Sequence, residues 1–131
     1  MMPSDMAPPP PAPVARHSFA CARCGQAAGL VQLFGPASAG EVVRESFTSR
    51  SAHRVGPESF ERLRTSIMAG DAQALYEFDL EMASFYCPDC HACYCGEHWA
   101  RWNVFDEEEG FTWHDSVRGR CPAGHQRMLE D

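Results

Sequence analysis

The stretch CPDCHACYCGEHW, Cys87–Trp99, holds four cysteines and two histidines in thirteen positions, and the pairing of these side chains decides how the rest of the chain is read. Cys87, Cys90 and Cys93 are spaced so that either neighbouring pair forms a CxxC. Joining Cys90 with Cys93 leaves one residue before Cys95, too short a span for the chain to pass from one cluster to another. Joining Cys87 with Cys90 leaves His91, Ala92, Cys93 and Tyr94, which can cover about 13 Å as a strand or turn. We adopt the second register. Cys95 and His98 then form a CxxH, with Cys93 left as a spare thiol and His91 as a spare imidazole.

Two further pairs lie outside this stretch. Cys21 and Cys24 form a CxxC, and Cys121 and His125 form a CxxxH within CPAGH. Four pairs supply eight ligands, the number that two tetrahedral zinc ions with Cys3His shells require, because a structural site is closed by four protein ligands. The short spacers let one tight turn aim both side chains at one ion. Gly25 and Gly96 follow two of these turns and Gly124 lies inside another, where the backbone must bend closely. His114 could stand in for His125, but the CxxxH unit is more compact.

Composition narrows the function classes. The chain has 131 residues with 11 Lys and Arg against 18 Asp and Glu, a formal net charge of −7. That balance opposes the basic footprint needed on nucleic acid or an anionic membrane, so both are disfavoured as partners. The start, MMPSDMAPPPPAPVARH, has no basic opening and no continuous apolar helix, which fits neither a secretory signal nor a membrane anchor. The expected location is the cytoplasm. Thiols stay reduced there, so seven cysteines and six histidines point to metal ligation ahead of disulfides.

Along the chain, residues 1–17 read as a disordered proline-rich leader and 18–131 as a single two-zinc domain. LVQLF (30–34) and EVVRESFTS (41–49) flank GPASAG and predict two strands and a hairpin. Val43, Glu45 and Phe47 share one face of the second strand, and Val42, Arg44 and Ser46 the other. Pro57 suits the first position of a helix bearing Phe60, Leu63 and Ile67 and closed by Gly70. Asp71 can cap a second helix carrying Leu75, Phe78 and Met82. Trp99 to Trp102 suggests a short helix, DEEEG an acidic solvated turn that would suit a basic partner, and FTWH a brief strand.

On these ligand pairs the sequence resembles the cross-braced treble-clef zinc fingers, of which RING and FYVE domains are familiar families. The four pairs, the four-residue gap between the second and third, and Trp99 after the third carry the resemblance. It implies a small α+β zinc-binding domain in which the first and third pairs bind one ion and the second and fourth the other. One site would be Cys21, Cys24, Cys95 and His98, and the other Cys87, Cys90, Cys121 and His125. Sequential pairing is the alternative. The 62 residues between Cys24 and Cys87 exceed the usual loop, so residues 36–84 read as an insertion carrying the β-hairpin and two helices.

Departures from the two families bear on function. FYVE domains read a phosphoinositide through basic residues before the third pair, where this chain has only HACY. RING ligases present an apolar residue inside the first pair and a tryptophan after the third; here Ala22 and Arg23 fill the first pair. Catalytic zinc needs an open coordination position, and eight ligands leave none. The leading expectation is a non-catalytic, zinc-stabilised protein-interaction module whose two zinc ions fix a partner surface at Trp99, Trp102 and Phe105. The alternatives are a RING-like ubiquitin ligase or adaptor, and a zinc-thiol redox sensor with Cys93 as its thiol.

Overall fold

The structure, a computed structural model, describes residues 11–131. Strands β1 (Ala15–Ala20), β2 (Ala27–Phe34), β3 (Gly40–Ser46) and β4 (Arg50–Val55) form an antiparallel sheet in chain order. Helices α1 (Pro57–Met68) and α2 (Ala72–Phe78) follow. A two-residue pairing of β5 (Tyr86–Cys87) with β6 (Ala92–Cys93) comes next, and the chain closes with a three-stranded antiparallel sheet, β7 (Ala100–Glu108), β8 (Phe111–Arg120) and β9 (Gln126–Glu130).

The predicted hairpin is β2–β3, with Leu33 opposite Val42 and Val31 opposite Arg44. One face of the sheet meets α1 because Phe60, Leu63 and Ile67 recur at helical spacing and are buried, as are Val31, Leu33 and Val42. Burying each such side chain contributes about 1.5–3 kcal/mol. The Asp71 side chain accepts from the Ala74 amide at 3.0 Å and starts α2. That helix stops at Phe78. Met82 reaches the same core from a separate 3-10 turn at Leu80–Ala83, whose start is capped by the Asp79 carboxylate accepting from the Glu81 amide.

Several expectations need correction. The leader reading falls on residues 1–10, which lie outside the described residues, and on Ala15–His17, which run in β1 because they pair with Val31–Leu33. The stretch EVVRESFTS is not one strand: it turns at Phe47–Ser49 and returns as β4. Residues 36–84 share one core with the strands before them, since β3 pairs with β2 and the buried helix residues pack with Phe19 of β1. Ala100–Trp102 begin β7 rather than a short helix. The acidic run lies largely in that strand, with only Glu109 and Gly110 turning at positive φ before β8.

Arg44 explains the imperfect alternation of β3. It is 1% exposed, with Nε donating to the Glu81 carbonyl at 2.8 Å and Nη1 to the Ser49 carbonyl at 2.8 Å. Its charge is therefore satisfied inside the protein, where Glu130 stands 4.0 Å away. A second apolar cluster, of Tyr94, Trp99 and Leu129 with four of the cysteines, sits between the small β5–β6 pair and the β7–β9 sheet. Phe47 packs against both clusters.

Candidate metal centres

Each ligand pair sits on a turn that the local sequence builds. In the first, the Gly25 amide donates to the Cys21 carbonyl at 2.9 Å and the Arg23 amide points at Cys21 Sγ at 3.4 Å, with Gly25 at φ +76°. The fourth turn repeats the arrangement. Gly124, at φ +93°, donates to the Cys121 carbonyl at 2.9 Å while the His125 amide lies 3.4 Å from Cys121 Sγ. In the second turn the Cys90 amide points at Cys87 Sγ at 3.4 Å, and the positive φ falls on His91 at 52°. Gly96 serves close approach: a Cβ there would lie 2.7 Å from the Phe47 Cβ.

Tertiary structure then brings the first pair to the third and the second to the fourth. The ligand atoms of Cys21, Cys24, Cys95 and His98 all lie within 4.8 Å of one another, and so do those of Cys87, Cys90, Cys121 and His125. The connection between clusters is the HACY segment, which folds back so that Cys87 pairs with Ala92 and Tyr86 with Cys93. The Ala22 amide donates to the Cys93 carbonyl at 2.8 Å, which ties the first ligand turn to β6.

The distances test whether zinc fits. With Zn–S near 2.3 Å and Zn–N near 2.0–2.1 Å, a tetrahedron places its sulfurs about 3.8 Å apart and sulfur to nitrogen about 3.5 Å apart. Cys24 Sγ is 3.7 Å from Cys95 Sγ, and Cys90 Sγ is 3.7 Å from Cys121 Sγ. His98 Nδ1 lies 3.4 Å from Cys21 Sγ and 3.3 Å from Cys95 Sγ. His125 Nδ1 lies 3.7, 3.2 and 3.4 Å from the sulfurs of Cys87, Cys90 and Cys121. All seven cysteines are free thiols. Sulfurs at 3.7 Å are far beyond the roughly 2.05 Å of a disulfide but match the edge of a coordination tetrahedron.

The electrostatics of the metal-free clusters point the same way. Burial raises the Cys21 thiol, but backbone hydrogen bonds at Cys95, Arg23 and Cys24 outweigh it and bring it to about 6. Burial also raises Cys121, against backbone hydrogen bonds at His125 and Ala123 that bring it to about 7. Their neighbours move oppositely. A backbone hydrogen bond at Gln26 lowers Cys24, yet desolvation and the sulfurs of Cys95 and Cys21 leave it raised. Burial pushes Cys87 up to about 12. Close sulfurs cannot all carry charge without a cation between them, and a divalent ion supplies the field that makes every one a thiolate.

The residues left outside the clusters have other places. Cys93 is half-buried against the first core, and burial pushes its thiol up to about 12. His91 Nδ1 lies 3.1 Å from the Tyr86 hydroxyl, and His114 Nε2 lies 3.2 Å from Asn103 Oδ1. The expected surface trio does not form. Trp99 is 3% exposed, with Nε1 donating to the Phe85 carbonyl, while Trp102 and Phe105 are exposed on opposite faces of β7.

Two supporting residues carried no sequence signal beyond their type. Tyr94 is read from sequence only as a spacer, yet hydrogen bonding with Cys90 and burial hold its phenol up at about 12. Arg127 donates to the carbonyls of Ala83, Tyr86 and Leu80 at 2.9, 2.6 and 2.9 Å, with its guanidinium over the ring of Tyr76. It fixes β9, next to the fourth ligand pair, against the approach to the second.

Together the fold and its clusters define a small mixed α/β protein with antiparallel sheets, two helices and two Cys3His groups that could each hold a metal ion. The chain belongs to the family described as Domain of unknown function (DUF8328), whose model matches residues 12–131. Comparison with curated proteins and with solved structures gave no match. Among the described residues no helix is long and apolar enough to cross a membrane.

Proposed function

We propose that this protein is a non-catalytic, zinc-stabilised protein-interaction module with two structural zinc ions in a cross-braced arrangement. Cys21, Cys24, Cys95 and His98 hold one ion, and Cys87, Cys90, Cys121 and His125 the other. The observation that carries the reading is the 3.7 Å sulfur spacing in each group, the edge length of a tetrahedral zinc site. Four protein ligands close each shell, which removes the open position that metal catalysis needs. Free thiols suit the reducing cytoplasm in which we place the protein.

The ions act through stability. Structural zinc contributes about 10–16 kcal/mol in zinc-finger peptides, against a typical net stability of about 5–15 kcal/mol. Each ion joins segments distant in the chain, so the β5–β6 and β7–β9 elements hold one rigid relation to the first sheet. The two alternatives find less support. A ligase of the RING kind presents the tryptophan after its third pair, and Trp99 is buried here. A redox trigger needs a thiolate, and Cys93 is held protonated.

Native mass spectrometry of the reduced protein tests the reading, with two zinc ions per chain expected. A Cys24→Ser, Cys90→Ser double variant should hold none, because each change opens a different site. Under sequential pairing both changes would fall in one site and one ion would remain. Disulfides in place of metal would overturn the whole assignment.

A further inference from the structure

The β7–β8 hairpin runs well past the rest of its sheet. β9 pairs with β8 only over Val117–Arg120, so residues 103–116 form a two-stranded arm. Residues paired across the ladder share a face, and alternate residues along a strand return to it. Trp113 is opposite Asp106, and Phe111 is opposite Glu108; Trp102 joins the same face by alternation along β7. These aromatics are 44%, 74% and 38% exposed in the order Trp113, Phe111, Trp102. Trp113 and Phe111 lie in the two-stranded arm, which has no core to fill, so packing within it does not account for them; Trp102 stands at its base, opposite Arg118.

Charge selects the occupant. Between Asn103 and Val117 the chain carries five carboxylates and neither Lys nor Arg. The neighbouring Asp115 carboxyl holds Asp106 above the usual carboxylate range. Such a surface repels phosphate groups and anionic lipid, and a second copy of the arm would bring five more carboxylates against the first. A guanidinium or ammonium group fits both features at once, over the face of an indole and beside a carboxylate.

We propose that this face is a docking surface for an arginine- and lysine-rich segment of a partner protein, which lays its cationic side chains across Trp113 and Phe111 beside Asp106, Glu108 and Asp115. The proposal rests on the reading of the chain as a metal-stabilised interaction module and names the chemistry of the partner that module takes.

The test titrates the zinc-loaded full chain with a fluorescein-labelled peptide of alternating arginine, lysine and serine, read by anisotropy at physiological salt. A peptide of the same length with glutamate in place of the basic residues is the control. Two double variants are compared, Phe111→Ser with Trp113→Ser, and Asp106→Asn with Glu108→Gln, with zinc counted on every sample. The expected result is saturable binding that either double variant weakens about tenfold or more while both ions are retained. Because Trp99 is buried, a change in tryptophan emission on binding reports Trp102 and Trp113. Absence of saturable binding overturns the proposal. So does weakening by the carboxylate variant alone, which is plain counterion attraction, or a self-associating chain that the aromatic variant makes monomeric. If the chain takes up no zinc, the module reading falls, and the same titration on that protein still decides the arm. Loss of binding in both variants supports it, and no binding overturns it.

Discussion

Trp99 Nε1 donates to the Phe85 carbonyl at 3.1 Å, and this bond joins the two apolar clusters of the protein. Phe85 belongs to the core beneath the first sheet, and Trp99 packs edge-on against Tyr94 among the cysteines. The same carbonyl accepts from the Tyr94 amide at 3.0 Å. Trp99→Phe keeps most of the apolar volume and loses the indole bond, so it should cost about 1–2 kcal/mol. Trp99→Ala should cost about 3–5 kcal/mol through the cavity it leaves. Denaturant unfolding of the metal-loaded protein measures both, and a cost near zero for Trp99→Phe would show that the bond contributes nothing.

Arg127 is the second tie between these parts. Its guanidinium meets three carbonyls of residues 80–86 and stands over the Tyr76 ring at 5.0 Å, and burial lowers it to about 10, still charged at neutral pH. Arg127→Ala strands those buried carbonyls and should cost about 3 kcal/mol or more. Lysine has the charge but not the planar fork, so Arg127→Lys should recover only part of the loss. Full recovery in thermal unfolding would show that charge alone matters at this position.

How much of this was legible in the sequence follows from where each signal comes from. The four ligand pairs and their register were legible because coordination imposes short spacings that few other constraints mimic, and α1 because Pro57, Phe60, Leu63 and Ile67 repeat at helical period. Arg44 concealed the face of β3, since a polar residue buried among carbonyls and hydroxyls looks solvent-facing in a binary pattern. The same ambiguity hid β4, whose residues are largely exposed, and made Trp99 resemble an anchor when the Phe85 carbonyl holds it inside. The acidic half of β7 looked like a turn because its strand is solvated on both faces, so no hydrophobic alternation marks it.

Metal uptake should release protons. In the metal-free protein Cys24 is raised and Cys87 stands at about 12, so both hold protons at neutral pH that a bound ion must displace. The metal-bound state therefore binds fewer protons than the unfolded chain, whose cysteines titrate near 8.5. The sign follows: stability rises with pH in that range, by about 1.4 kcal/mol per pH unit for each proton displaced, and is lost as pH falls. Zinc titration in weak buffer with an indicator dye should show at least one proton released per ion. Uptake without proton release would mean that these thiols are not ligands.

Cys93 should behave as an inert thiol although reactive sulfurs surround it. It pairs with Tyr86 in the β5–β6 ladder, half-buried against the first core, and burial followed by the nearby Cys21 charge pushes it up to about 12. Because the folded value is raised, the neutral form is the stabilising one. Its contribution is present below the ordinary value of 9.0 and lost as pH climbs toward 12. At pH 8 its thiolate fraction is about one in ten thousand, against about one in eleven for a cysteine at the ordinary value of 9.0, so alkylation should be about a thousandfold slower. Iodoacetamide labelling of the metal-loaded protein with peptide mapping reads this directly. Metal release by mild peroxide should be the same in wild type and Cys93→Ser. Fast stoichiometric labelling at Cys93, or protection from peroxide by the serine, would restore the redox-sensor reading.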